Sequence, residues 1–167
     1  MNTLNAGQLV LEPQCVAHAP EMFEVLSDPA IYEFENSPPQ SLAWLEERFK
    51  RLEARASPDG TQQWLNWVIR LPTGALAGYV QATITRDRTA LIAYELSSRF
   101  WRQGIGGAAV RAMLSELTAT YGVRTFVAEL KERNYRSAAL LNSAGFERVG
   151  PHRGDEIVMQ KVLAHAA

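Results

Sequence analysis

Phe100-Trp101-Arg102-Gln103-Gly104-Ile105-Gly106-Gly107-Ala108 decides how this chain is read. Ahead of it, Thr89 to Ser97 has the composition of a strand. Behind it, Gly104 to Thr120 has a helical period, with Ile105, Ala108, Ala109, Ala112, Met113 and Leu117 placed to face a sheet. Val123 to Leu130 then alternates as a strand. A strand, helix, strand unit of this size predicts two parallel strands joined by a right-handed crossover. The glycines open the helix, where two in a row cost stability unless the backbone itself has a task. They let backbone approach a ligand closely, and the unpaired N–H groups of a first helical turn suit a phosphate or diphosphate. Arg102 adds a full positive charge just ahead of that turn.

The rest of the chain arranges itself around this unit. Leu9 to Glu12 reads as a short strand, and Pro20 to Ser27 as a short helix stopped by Asp28-Pro29. Ser41 to Ala56 reads as a longer helix with Ser41 as N-cap and Leu42, Leu45, Phe49 and Leu52 in helical register. Trp64 to Arg70 and Leu76 to Thr85 form a strand pair around Pro72-Thr73-Gly74. Asn134 to Ser143 reads as a helix ended by Gly145, and Phe146 to Val149 and Glu156 to Val162 close the chain as strands. The fold class is therefore α/β (α+β): one central mixed, mostly antiparallel sheet, with one parallel splayed strand pair, flanked by helices. Breaks such as Ser37-Pro38-Pro39 and Ser57-Pro58-Asp59-Gly60 are turn-sized, so one domain over 1–167 is expected, with 164–167 as a frayed tail.

Composition narrows the function. Seventeen basic residues against eighteen acidic ones give a net charge of -1, which argues against a broad nucleic-acid-binding face. Cys15 is the one cysteine, so no internal disulfide and no Cys-based metal cluster can form. His18, His152 and His165 lack metal-ligand spacing, and no metal is expected. With neither a signal-peptide pattern nor a run of ~18 apolar residues, a cytoplasmic protein without a membrane partner is expected.

Two ligands fit the glycine loop. Gly104-x-Gly106-x-x-Ala109 formally satisfies a dinucleotide fingerprint, with Glu129 as a ribose-binding acid. Against it, the Arg99-Phe100-Trp101-Arg102-Gln103 segment intervenes after the strand, and 37 residues after Leu130 are too few for the remaining elements. The second is a coenzyme A thioester. The loop resembles the pyrophosphate loop of the GNAT superfamily of N-acetyltransferases, whose pattern is Gln/Arg-x-x-Gly-x-Gly/Ala. Trp101 in the first position is similar to the RimJ/RimL-like branch, which often reads tyrosine-tryptophan-glycine-lysine-glycine there. Arg102 and Gln103 stand where that branch has its first glycine and its basic residue. Ala93-Tyr94-Glu95-Leu96 resembles the branch's glycine-tyrosine-glutamate-leucine strand. Asn134-Tyr135-Arg136-Ser137 and Gly145-Phe146 resemble its asparagine-x-x-serine helix ending in glycine-phenylalanine. Leu9 to Pro13 and Leu26 to Pro29 fit its opening strand and helix, so the resemblance runs nearly the length of the chain.

That resemblance implies a co-substrate, acetyl-CoA, and an amine acceptor, either a protein N-terminus or a small molecule. It places the diphosphate on Arg102, Gln103, Gly104, Ile105, Gly106, Gly107 and Ala108. The pantetheine arm then runs along Leu96, Ser97 and Ser98, with Asn134 and Ser137 reaching it from the next helix. Asn134 serves equally well as that helix's N-cap. Glu95 is the expected general base, with Glu33 and Glu35 as rivals, and Tyr32, Glu33, Phe34 and Glu35 are expected around the acceptor. Many members use a tyrosine as acid one turn before the glycine-phenylalanine pair. Leu141 stands there, which moves the acid role to Ser137, with Tyr135 second. A monomer or homodimer is expected. A non-catalytic acyl-CoA sensor is the alternative function.

Overall fold

The sheet is the frame of the molecule. The computed structural model describes residues 1–164, and the backbone alone of 151–153. His165, and with it most of the tail expected to fray, lies outside the described residues. Eight strands run in the order β1-β2-β3-β4-β5-β6-β8-β7. They are β1 (Leu4–Ala6), β2 (Leu9–Pro13), β3 (Gln63–Arg70), β4 (Leu76–Ile84), β5 (Thr89–Leu96), β6 (Thr125–Lys131), β7 (Glu147–Arg153) and β8 (Glu156–Val162). β5 and β6 are parallel, and among the described residues every other neighbouring pair is antiparallel. A mostly antiparallel sheet excludes the doubly wound parallel sheet that the dinucleotide reading requires.

Among the described residues, four α-helices cover the two faces. α1 (Ala19–Leu26) and α2 (Leu42–Leu52) lie on one, and α3 (Ile105–Tyr121) with α4 (Tyr135–Ser143) on the other. Strand alternation supplies both cores. Val68 and Leu76 face α1 and α2, meeting Met22, Leu26, Leu45 and Phe49. Trp67, Ile69, Val80, Ile92, Phe126, Ala128 and Leu130 face α3 and α4, meeting Ala109, Val110, Met113, Leu114 and Leu117. Leu42 is instead exposed.

The cap signals behave as the sequence suggests. The Ser41 hydroxyl accepts from the Trp44 N–H at 3.1 Å, a bond typically contributing ~1 kcal/mol. The Asn134 side-chain Oδ1 accepts from the Ser137 N–H at 3.1 Å. Two of the boundaries that differ do so for local reasons. α2 ends at Leu52 rather than Ala56, because Arg55 takes a positive φ of 57° and its carbonyl accepts from Trp64 N–H at 2.9 Å. Ala56 is thereby drawn into a bridge with Gln63. β6 begins at Thr125 because the Val123 N–H is engaged by the Leu117 carbonyl at 3.0 Å, closing the end of α3. β1, three residues long, escapes any periodicity argument.

The feature that creates a site is a gap. β5 pairs with β6 only over Thr89–Leu91 against Thr125–Val127. Beyond Leu91 the two strands diverge, and a cleft of about 1000 Å³ opens there. No helix among the described residues is long and apolar enough to cross a membrane.

Candidate active site

The floor of the cleft is the unpaired half of β5. The Ser97 N–H donates to Ala77 C=O at 2.9 Å, on the β4 side. Alternation therefore turns the N–H groups of Tyr94 and Leu96 towards the gap, where no strand meets them. An extended ligand entering the gap finds backbone donors and an acceptor as a sheet edge offers them. The Leu96 carbonyl is steadied by the Trp101 indole N–H at 2.8 Å.

One end of the cleft is the start of α3. Gly104 is the N-cap, at φ +76°, and it supplies no side-chain cap, so the first-turn N–H groups stay open. A Cβ built on Gly106 would stand 2.9 Å from Leu140 Cδ1, the far end of a flexible side chain that would have to shift, and its absence leaves the backbone open to a ligand. Arg111 curls back over this turn, its Nη1 3.1 Å from where a Gly107 Cβ would sit. Arg102 also lines the cleft, at φ +60°. An uncapped helix start flanked by two guanidinium groups is a cradle for a diphosphate. Arg111 is absent from the sequence-based site. Its signal was the spacing to Gly107, four residues on, which brings a long side chain over the preceding turn.

Glu95 stands on the α1/α2 face of β5. It is opposite Tyr79 in the β4–β5 register, and Asn36 Nδ2 donates to its Oε1 at 3.3 Å. Burial pushes its carboxyl above the ordinary range, tempered by hydrogen bonds from Tyr79 and Asn36 and by the charge of Arg48. A carboxylate raised in this way is a stronger base than a free one, the direction that proton abstraction favours. Glu35, also on the cleft wall, is raised too, first by burial, with Lys131 opposing and Glu156 adding. Glu129 is a third carboxylate on the wall. β4 passes very close to Glu95: a Cβ on Gly78 would lie 2.0 Å from the Glu95 carbonyl oxygen.

The opposite face carries Ser137, on the first turn of α4. Its Oγ lies 2.6 Å from the hydroxyl of Tyr94, and both residues line the cleft. Leu141 is buried among the α3/α4 core residues. Tyr135, the second candidate acid, is 76% exposed and does not line the cleft.

The residues expected around the acceptor divide. Tyr32, Phe34 and Glu35 line the cleft, and the Tyr32 hydroxyl donates to Leu26 C=O at 2.7 Å. Burial, with Glu95 and Asp28 nearby, pushes that phenol well above its ordinary range and keeps it protonated. Glu33 points away, its Oε2 2.8 Å from Arg136 Nη2. Arg136 also stacks over Trp101 at 4.1 Å and Phe34 at 5.4 Å, tying the loop after α1 to the loop before α3.

The residues expected around coenzyme A divide as well. Leu96, Arg102, Gly104, Ile105, Gly106, Gly107, Asn134 and Ser137 line the cleft; Ser97, Ser98, Gln103 and Ala108 do not. The chain leaves β5 at Leu96 and turns into a short 3₁₀ helix, so Ser97 and Ser98 no longer continue the strand edge. They are held by Asp28, whose Oδ2 accepts from the Ser98 N–H at 2.7 Å and the Ser97 hydroxyl at 3.3 Å. Gln103 Nε2 donates to Arg99 C=O at 3.1 Å.

Residues 8–147 match the model of the acetyltransferase (GNAT) domain. The chain belongs to the GNAT acetyltransferase family. It is an acetyl-CoA-dependent N-acetyltransferase by family, and the cradle just described fits that co-substrate. Among solved structures it is similar to RimL, the ribosomal L7/L12 alpha-N-protein acetyltransferase in complex with coenzyme A. That match has a TM-score of 0.84 at 17% identity and covers 97% of this chain and 98% of that one. It is similar to the ribosomal-protein-S5-alanine acetyltransferase from Vibrio fischeri, with a TM-score of 0.83 at 17% identity and 97% of each chain covered. The microcin C7 self-immunity acetyltransferase MccE, in complex with acetyl-CoA and AMP, gives 0.79 at 19% identity over 94% and 93% of the chains. No curated protein matches the sequence.

Proposed function

We propose that this GNAT enzyme acetylates a primary amine, foremost a protein N-terminus, by direct attack of the amine on the thioester. Glu95 acts as the base, and Ser137 donates to the leaving sulfur. The observation that carries this reading is the placement of the two groups. A carboxylate raised by burial and a hydroxyl stand on opposite faces of the same strand, on either side of the gap where β5 leaves β6. An amine arriving as ammonium finds Glu95, Glu35 and Glu129 among the cleft residues, beside the guanidinium groups of Arg48, Arg102, Arg111 and Arg136. It must lose a proton before it has a lone pair to attack with, and Glu95 takes that proton directly or through water. The N–H groups of Tyr94 and Leu96 face the position where the carbonyl oxygen gains charge. The electron pair of the broken C–S bond leaves on sulfur, towards Ser137. No covalent enzyme intermediate is needed.

A protein N-terminus leads the acceptor list because two of the similar structures bear the names of ribosomal-protein N-acetyltransferases. The enzyme works in the cytoplasm, as a monomer or homodimer, without nucleic acid. Acetyl-CoA is incubated with peptides bearing free N-termini, with polyamines and with aminoglycosides, and released thiol is measured. Thiol release with peptides supports the reading. Coenzyme A binding without thiol release for any amine makes the protein an acyl-CoA sensor instead.

A further inference from the structure

Two hydroxyls meet on the α4 face of β5, and the reaction as derived uses only one. Tyr94 OH lies 2.6 Å from Ser137 Oγ, where either atom can donate, and 3.3 Å from the Ser137 carbonyl oxygen. The phenol comes from the sheet and the serine from the first turn of α4, so the contact crosses the cleft wall. The Tyr94 ring packs against the α3/α4 core, which fixes where its oxygen sits. Leu141 lines the cleft from the last turn of α4 but carries no hydroxyl, so no phenol is offered from there.

We infer that Tyr94 is a positioning residue for the leaving group, setting the direction of the Ser137 hydroxyl through a reversible two-hydroxyl hydrogen-bond switch. This rests on the acetyltransferase reading above. The switch has two states. In one, Ser137 O–H donates to the Tyr94 oxygen, and Tyr94 O–H donates to the Ser137 carbonyl. In the other, Tyr94 O–H donates to Ser137 Oγ, and the serine hydrogen turns into the gap. The neutral thioester sulfur is a poor acceptor and leaves the first state in place. As the C–S bond breaks, the electron pair collects on sulfur and draws the serine hydrogen over, while the phenol takes up the vacated lone pair. The interaction is thus stronger in the transition state than with bound substrate, which is the condition for raising kcat rather than lowering KM. Protons balance without transfer through the pair: the ammonium gives up one proton before attack and a second from the tetrahedral intermediate, Glu95 takes each in turn and passes the first to solvent, and solvent supplies the one that completes the thiol. Burial raises the Tyr94 phenol to about 12, with the Ser137 hydrogen bond opposing, so it stays a donor throughout the working range.

The test needs no acceptor. The thiol of bound coenzyme A is titrated by the ultraviolet absorbance of its thiolate, in the parent, Tyr94→Phe, Ser137→Ala and the double variant. The parent lowers the bound thiol's pKa by about one unit, a tenfold preference for thiolate. Tyr94→Phe and Ser137→Ala each return it towards the free value, and the double variant goes no further than Ser137→Ala, because Tyr94 acts through the serine. With an amine acceptor, Tyr94→Phe lowers kcat about tenfold with KM for acetyl-CoA within twofold. Tyr94→Phe with the parental thiol titration overturns the switch and leaves the proposed function standing. So does a double variant whose two effects simply add. Absence of coenzyme A binding overturns both, whereas a parental thiol shift without acceptor-dependent turnover overturns only the proposed function.

Discussion

Replacing Glu95 by glutamine changes activity and stability in opposite directions. The exchange keeps the side chain's shape and its acceptor oxygen, so the Tyr79 contact persists and at most the 3.3 Å Asn36 bond is weakened. What disappears is basicity. Loss of a positioned base costs ~10²–10⁴-fold in rate, or about 3–5 kcal/mol on the barrier. In the parent, the rate climbs as pH rises through the folded pKa of Glu95, because only the carboxylate accepts a proton. The glutamine variant lacks that limb, and its deficit shrinks at high pH, where the amine arrives deprotonated. Stability follows from the same burial. The folded pKa of Glu95 lies above its unfolded value, so the folded state favours the protonated form, and ionisation above the folded pKa costs stability. Glutamine carries no such cost, so its Tm exceeds the parent's at neutral pH. The gain fades as pH falls through the folded pKa and is gone near the unfolded value of about 4.3. Thermal melts from pH 4 to 8, set beside rate profiles over pH 6 to 9, read both effects. A variant with parental rate throughout, or with lower Tm at neutral pH, would refute the placement of a buried, ionised base at Glu95.

Gly104→Val keeps open space around its side chain but must hold a positive φ of 76°, whereas Gly106→Glu drives its side chain onto Leu140 and a negative charge into the phosphate cradle. Both lose the thermal stabilisation that coenzyme A gives the parent, and Gly106→Glu also lowers the ligand-free Tm. Arg102→Gly relieves a left-handed backbone worth ~1–2 kcal/mol and adds unfolded-state entropy of similar size, so Tm stays within a few degrees while coenzyme A binds more weakly by calorimetry. Asp28→Ala strands the Ser98 and Ala30 N–H donors and lowers stability by ~3 kcal/mol, read as a drop in Tm of roughly 6–12 °C. Burial raises the Asp28 carboxyl, but its hydrogen bonds from Ser98 and Ala30 outweigh this and hold it low, so the difference narrows only as pH falls towards the depressed folded value.

The parallel crossover was legible because α3 and β6 carry strong periodicities, and the glycine loop between β5 and α3 has few physical explanations. The uncapped start of α3 at Gly104 followed from it. The strand edge was harder. Ser97 and Ser98 read as an extension of β5, but their partner Asp28 is some seventy positions away in sequence, and only the fold brings it close. Tyr94 stood in a quoted motif without a role, because nothing local tells which helix a strand residue will face. Glu33 and Glu35 look alike in sequence, and a single turn of the loop sends one to Arg136 and the other into the cleft. Even Arg102 makes sense only with its backbone angle known: it occupies a glycine's conformation and adds a charge that glycine lacks.

The divergence of β5 from β6 has a kinetic consequence. On the proposed mechanism one substrate approaches from the α1/α2 side and the other from the α3/α4 side, and the sheet works as a partition with a slot in it. Each substrate enters and leaves by its own door, and the doors need not open in turn. Initial-rate lines should therefore converge rather than run parallel, and each product should compete with its own precursor alone. An amine tethered covalently to coenzyme A would have to be threaded through the slot, so its residence time would be set by whichever end is slower to back out.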